Sequence, residues 1–318
     1  MSKEALHMKK ADLVEVTILD DNYTDVFITG SERVKRPSHI MEGNVIKGLL
    51  ADHGLSVMVD IFEGSASHRL LFDTGQSEVV VPWNIESLGV CLQNVEAVAL
   101  GHGHHDHFGG LIKLYSDGVV PRSAPFHAHP GVFTQRYISL PDGGLARMPQ
   151  LTRRPLNHLG VQIRENIGPT LLASGFALLT GEVERVTDFE HGFPPARVLA
   201  GEEIVPDPLI MDEQALVLNV KNKGLVIISS CGHPGLINII LYARKLTREG
   251  KVYFVGGGFH LTGPIFEPVI EPTIAEMKKL APQVIVPCHC TGTKAINRFR
   301  EAMPQQFVFN AVGTKYIL

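Results

Sequence analysis

"LGHGHHDHFGG", Leu100 to Gly110, places four histidines and an aspartate within six residues, bracketed by glycines. The run before it, "VEAVAL" (95–100), is short and apolar and reads as a buried strand, so the cluster falls in the loop after a strand. Neutral imidazole nitrogens and carboxylate oxygens are the usual ligands of zinc, and of iron or manganese in mixed sites. In an extended or turning segment His102 and His104 point to one side and can hold one metal. Asp106 and His107 sit further on and can hold a second, while His105 falls between and is expected to point away. With fifteen histidines among 318 residues, a His-x-His-x-Asp-His string arises by chance in about one chain in a thousand. A solvated histidine-rich loop is therefore the poorer reading. Two divalent metal ions are the expected cofactors, zinc first, with iron and manganese as alternatives.

Toward the N-terminus, "LVEVTILDD" (13–21), "LSVMVDIF" (55–62) and "HRLLFDTG" (68–75) read as successive strands, each ending in polar or glycine punctuation. A helix is expected around Ile85 to Leu88 in the polar 83–94 segment. From 116 to about 210 Pro and Gly are dense, and the segment reads as an elaborated region of short strands and loops. Alternation returns with "ALVLNV" (215–220), "GLVIISSCGHPG" (224–235), a helix over about 236–246, "KVYFVGGGFHL" (251–261), a helix over 272–280 and "QVIVPCHCTG" (283–292). Three apolar strands in that stretch end in loops that hold His233, His260 and His289. The cluster alone cannot surround two ions, so His233 and His289 are assigned as further ligands, and His260 stays open between ligand and neighbour. No repeat or low-complexity linker divides the chain, which reads as one domain, 1–318, with halves of roughly 12–200 and 201–318.

A hydrophobic content of 44% is ample for a core, and a net charge of −4 gives no global reason to expect nucleic acid or an acidic membrane surface as partner. The opening "MSKEALHMKKADLVEV" has no apolar run long enough for a signal segment and no later run reaches a membrane span, so a soluble, cytoplasmic protein is expected. Four cysteines, Cys91, Cys231, Cys288 and Cys290, are too few and too uneven for a disulfide framework. The expected partner is a small molecule. Nothing in the sequence fixes an oligomeric state.

The runs "LFDTG" (71–75), "GHGHHDHFGGL", "CGHPGLINII", "GGFHL" and "CHCTG", with "ADHGLSVMVD" (51–60), resemble the metallo-β-lactamase superfamily, and within it a subgroup labelled dihydropterin-ribofuranosylaminobenzene-phosphate synthase. The resemblance implies an α/β, four-layer αββα sandwich with a dinuclear site at one edge between the sheets. It assigns His102 and His104 to the first metal, Asp106 and His107 to the second, and His289 to the second metal, with Asp73 as a supporting carboxylate. Superfamily members usually end a second-half strand in Gly-Asp, the aspartate bridging the metals. No Gly-Asp stands at 224–261; Cys231 or His260 occupies the candidate place, and His233 is either the third ligand of the first metal or a replacement near the bridge.

Other constellations read more plainly. His127 and His129 in "PFHAHPG" are taken as ordinary loop histidines, and His191 is a second candidate for the missing ligand. Cys288 and Cys290 flank His289, and strand alternation puts both on the opposite face as small apolar residues. Arg136, Arg153 and Arg154 are the basic residues that could meet an anionic substrate, though solvated surface is the commoner fate of each. The glycines of "VGGGF" (255–259) are read as a tight turn. The expected function is a metal-dependent hydrolase that uses a metal-activated hydroxide on a small phosphoester or ester, with Asp106 orienting the nucleophile. The alternatives are a pterin-pathway synthase acting on a ribosyl-phosphate substrate, and a metal-bound, non-catalytic sensor.

Overall fold

Alternation decides which face each strand residue serves. In the computed structural model, which describes residues 6–38, 40–41, 44–45 and 47–318, Val14, Val16 and Ile18 of the strand Leu13–Asp20 point the same way as Val57, Val59 and Ile61 of Ser56–Glu63. They meet Leu216, Leu218, Val226, Ile228 and Phe254 of a second sheet and form the core between the sheets. The intervening residues face outward: Met58, Leu71 and Val98 pack on the helices Val80–Leu88 and Leu111–Ser116. On the other sheet Val217, Leu225, Ile227, Val255 and Ile285 pack on Leu236–Thr247, Ile270–Leu280 and Thr293–Ala302. Layers of helix, sheet, sheet and helix result, the expected four-layer αββα sandwich. Both faces of the central strands are covered, which is why they read as near-continuous apolar runs. Each fully buried aliphatic contributes roughly 1.5–3 kcal/mol.

The first sheet orders its strands Ile163–Glu165, Phe126–Ala128, Ala97–Ala99, Ala66–Phe72, Ser56–Glu63, Leu13–Asp20, Lys315–Ile317, Val34–Lys35. The second runs Thr170–Leu172, Ala177–Leu179, Leu216–Val220, Gly224–Ser229, Val252–Gly258, Val284–Cys288. The change of sheet thus falls between 165 and 170 rather than at 200/201, and the C-terminal strand returns to the first sheet. In the first sheet the strands from Ala66–Phe72 to Ile163–Glu165 are mutually parallel. So are the last three of the second sheet. Parallel strands bring their C-terminal ends to one edge, and that edge carries every histidine loop singled out above.

The 116–210 region holds a separate four-stranded antiparallel sheet, ordered Leu145–Arg147, Arg136–Ser139, Ala196–Ala200, Glu203–Pro206. The glycines of "VGGGF" are not a turn: Gly256 to Gly258 belong to the strand Val252–Gly258. A Cβ at Gly258 would stand 2.6 Å from Cys290 Sγ and 3.0 Å from Cys231 Cα, so the bare backbone is what lets those two loops close over it. The helix expected near 85–88 starts earlier, at Val80. Among the described residues no helix is long and apolar enough to cross a membrane; residues 1–5, on which the expectation of no signal segment partly rests, lie outside them.

Candidate metal centre

The loop after Ala97–Ala99 is held in place before it presents any ligand. Asp73, at φ +58° just past Phe72, accepts from the Gly101 amide at 2.6 Å, and its other oxygen lies 2.7 Å from His107 Nδ1 and accepts from Ser230 Oγ at 2.7 Å. Thr74 bonds the His107 carbonyl through both its amide and its hydroxyl, and the Leu55 amide bonds the Asp106 carbonyl. Asp106 and His107 fall in one helical turn, His105–Phe108, which swings them past His102 and His104.

Two donor clusters follow. In the first, His102, His104 and His233 each offer a nitrogen within 4.8 Å of the others, with His102 Nε2 3.0 Å from His104 Nδ1. Burial, and then neighbouring histidines, keep the pKa of all three well below the ordinary value, so they are neutral imidazoles, the form that ligates metal. In the second, Asp106, His107, His289 and Cys231 converge. Asp106 Oδ2 lies 3.4 Å from His107 Nε2 and 3.3 Å from His289 Nε2, and Cys231 Sγ lies 3.4 Å from each of those nitrogens. Bond lengths of about 2.0–2.3 Å in a tetrahedral zinc site imply ligand–ligand edges of about 3.3–3.6 Å, so the donor set fits such an ion. Burial opposes charge on Asp106, but His107 and His289 outweigh it and hold the carboxyl well below its usual range.

The second half reaches this edge by turning sharply. After the strand Gly224–Ser229, Gly232 takes φ +89°, and the Glu213 carboxylate accepts from the amides of Cys231 (3.0 Å), Gly232 and His233 (2.9 Å). Glu213 also meets His233 Nδ1, which leaves His233 Nε2 free to face His102 and His104. His289 stands at φ +49°, its amide bonded to Asp21 at 2.8 Å and its carbonyl to Asn22 at 3.1 Å. His260, at φ +45°, lies edge-on to the stacked rings of Phe193 and Phe266 and against His233; with Cys231 and His233 it makes a third grouping. Left-handed backbone at three non-glycine residues around one site is strain the surrounding hydrogen bonds must hold.

A cavity of about 270 Å³ opens over the clusters, lined by His53, Gln76, His104, His105, Asp106, Ile138, Met148, Phe193, Cys231, His233, His260 and Cys290. It corrects two expectations. His105 does not point away but lines the cavity, its ring edge-on to Phe108. Cys290 is not opposite His289 with Cys288: the strand ends at Cys288, which packs between the sheets, and a turn over His289–Thr291 brings Cys290 to the cavity floor, where its thiol bonds the Cys231 carbonyl at 3.0 Å. Alternation was carried one residue too far.

The basic residues serve structure instead of the cavity. Arg136 is buried in a two-pronged pair with Asp212, whose carboxylate also accepts from the Gly103 amide at 2.8 Å. Arg153 pairs with Glu165 and lies over the Phe133 ring. His127 is buried, which together with Arg164 pushes its pKa down to about 4; His129 caps the turn Pro130–Phe133. His191 is exposed and joins none of the donor groupings. Sequence reading missed Asp212, Glu213 and Gln214, which tie both ligand loops to one strand start; Gln214 reaches the Leu100 carbonyl at 2.9 Å. The only signal was three polar residues in a row before "ALVLNV".

No family model matches the chain. It is 31% identical over 261 residues to the 7,8-dihydropterin-6-methyl-4-(beta-D-ribofuranosyl)-aminobenzene-5'-phosphate synthase of Methanocaldococcus jannaschii, covering 81% of this chain and 87% of that one. An uncharacterised protein of the same organism is 26% identical over 277 residues, 86% of this chain and 96% of its own. The crystal structure of a metal-dependent hydrolase of the beta-lactamase superfamily superposes with a TM-score of 0.72 at 25% identity, over 95% of this chain and 98% of the other. With the sandwich, the edge-on site and these relatives together, the chain belongs to the metallo-β-lactamase superfamily, in the group that includes the M. jannaschii synthase.

Proposed function

We propose that the protein is a hydrolase that works with two divalent metal ions, zinc in first place, on a small ester or phosphoester. The observation that carries this is the set of 3.3–3.4 Å edges among Asp106, His107, His289 and Cys231, beside a second cluster of three neutral imidazoles. His102, His104 and His233 would hold one ion and Asp106, His107 and His289 the other. When bound, two such ions lower the pKa of water toward neutrality and polarise the bond under attack. The chain's own residues do the rest. Asp106, at the cavity wall, orients the attacking water by accepting a hydrogen bond from it. Asp73 and Glu213 fix the tautomers of His107 and His233 through their Nδ1 atoms. Ile138, Met148 and Phe193 exclude bulk water above the site. The reading keeps the chain as a single unit, since the proposed ligands follow strands of both sheets.

Protein purified without chelator should carry two divalent ions per chain and turn over members of an ester and phosphodiester panel; a metal-free, fully folded preparation would overturn the reading. A second reading, a pterin-pathway synthase acting on a ribosyl-phosphate substrate, is favoured by the 31% identical relative of that name. Exclusive turnover of pterin and ribosyl-phosphate substrates would select it over hydrolysis.

A further inference from the structure

Two side chains, Cys231 and His233, each belong to two of the donor groupings, and Cys231 is the sulfur of the pair: it stands with Asp106, His107 and His289 on one side and with His233 and His260 on the other. Its Sγ is the same 3.4 Å from His107 Nε2 and from His289 Nε2. His107 directs Nδ1 to the Asp73 carboxylate, so Nε2 is the nitrogen left to face Asp106 Oδ2 and Cys231 Sγ. Two ring nitrogens, a carboxylate oxygen and a sulfur converge at 3.3–3.4 Å, the edges of a set that one cation can gather. The sulfur is also held from behind: the Cys231 amide bonds Glu213, its carbonyl receives the Cys290 thiol, and Gly258 leaves room for both loops.

We propose that the Cys231 thiolate is a metal ligand lying between the two metal positions and shared by them, which tunes the centre to thiophilic divalent ions such as zinc, cobalt or iron over magnesium or manganese. This rests on the metal-dependent reading above and goes beyond it by naming the shared ligand and the class of ion. Thiolate selects zinc and iron where carboxylate and water suit magnesium and manganese. Binding a cation deprotonates a coordinating thiol outright, and the proton is released to solvent. Cys290 is the internal control, because it lies on the same cavity floor but joins none of the donor groupings.

The test loads the full-length, chelator-stripped chain with Co²⁺ alone and reads two quantities, cobalt per chain and the near-ultraviolet thiolate-to-cobalt charge-transfer absorption. The unaltered protein should bind two cobalt ions and show the band. Cys231→Ser should lose the band and weaken cobalt binding by roughly ten- to a hundredfold, while Cys290→Ser keeps both. Cys231→Asp, which offers a carboxylate on an equally short stem, should retain two ions without the band and shift the Mn²⁺-to-Zn²⁺ affinity ratio toward Mn²⁺ by about tenfold. Two cobalt ions without a band in the unaltered protein would overturn the role of Cys231 and leave the metal-dependent reading standing. No cobalt at all in a folded protein would overturn both. A band that survives in Cys231→Asp, or vanishes in Cys290→Ser, assigns the thiolate to Cys290 instead, and these outcomes remain decisive if Cys231→Ser does not fold.

Discussion

On one side of the centre, His102, His104, Asp106 and His107 come from six consecutive residues after the strand Ala97–Ala99; on the other, Cys231, His260 and His289 each follow a different one of three neighbouring parallel strands. The first side is local. Its geometry is set by one helical turn and by hydrogen bonds from Asp73, Thr74 and Asp212, so it needs anchoring more than it needs the second sheet. The second side is assembled. Its donors meet only when strand order, register and the close approach at Gly258 are all in place. The local side is therefore expected to survive small disturbances of the core that spread the assembled side apart.

The largest effects should come from deleting one of the proposed ligands on each side. His104→Ala is expected to lower turnover by more than about a hundredfold with little change in melting temperature, measured by steady-state kinetics and circular dichroism. His233→Ala should lose about one metal per chain, or weaken its affinity by roughly ten- to a hundredfold or more, read by elemental analysis after dialysis. Unaltered metal content in His233→Ala with a lower melting temperature would remove the assembled side's claim on the first ion. Next come the carboxylates that bond the histidine rings from behind. Asp73→Asn on the local side and Glu213→Gln on the assembled side should each weaken metal binding by about ten- to a hundredfold, yet reach full stoichiometry when metal is in excess. If the contrast holds, Glu213→Gln also broadens the distribution of metal-bound states, because Glu213 fixes three backbone amides as well as a ring.

The same contrast explains what could be read from the sequence. The local side was legible because its donors are adjacent, and adjacency in a loop needs no knowledge of the fold. His233 and His289 were legible one step less directly, through glycine punctuation at the ends of apolar runs. The four-layer sandwich came through the resemblance carried by the histidine and glycine runs, since strand patterning alone gives only a mixed α/β domain. Asp212 and Glu213 were not legible, since their partners Gly103 and Arg136, or Cys231 and His233, lie 18 to 109 residues away and a polar triplet before a strand looks like a turn. Nor was Cys290, because period-two alternation stops at Cys288. The Pro- and Gly-rich 116–210 region hid the small sheet whose strand Arg136–Ser139 brings Ile138 to the cavity wall.

A third class of change separates anchoring from ligation. Asp212 and Arg136 are both buried, and Asp212→Ala leaves the guanidinium without its main partner while freeing the Gly103 amide. Breaking a buried ion pair by removing one member costs about 3–5 kcal/mol, so chemical denaturation should register a loss of that order. Metal stoichiometry at saturating metal should stay at the unaltered value, because Asp212 belongs to neither donor cluster.

The effect farthest from the donor atoms lies beneath the local side and appears only as a dependence on pH. Asp20, fully buried at the end of the first strand, faces Asp52 and packs against the backbone of Gly54 and Gly75, and the Gly75 carbonyl in turn holds the Gly109 amide just past the ligand turn. Burial, and then the neighbouring Asp52, push the Asp20 carboxyl up to about 9. In the unfolded chain the same group titrates near the ordinary value of about 3.9. Between those two values the folded protein holds a proton that the unfolded chain has released, so the contribution is fully present below about 4 and is lost as pH rises toward 9. Asp20→Asn offers an uncharged group of the same shape with nothing to lose. Its melting temperature should exceed the unaltered protein's by a margin that grows by about ten degrees from pH 5 to pH 8, since each pH unit in that interval is worth about 1.4 kcal/mol and each kcal/mol moves the transition of a domain this large by about 2–4 °C. A difference that stays flat across that range would mean the two carboxyls share no proton, and the floor of the local side would then have to be held by the backbone bonds of Leu55, Thr74 and Gly109 alone.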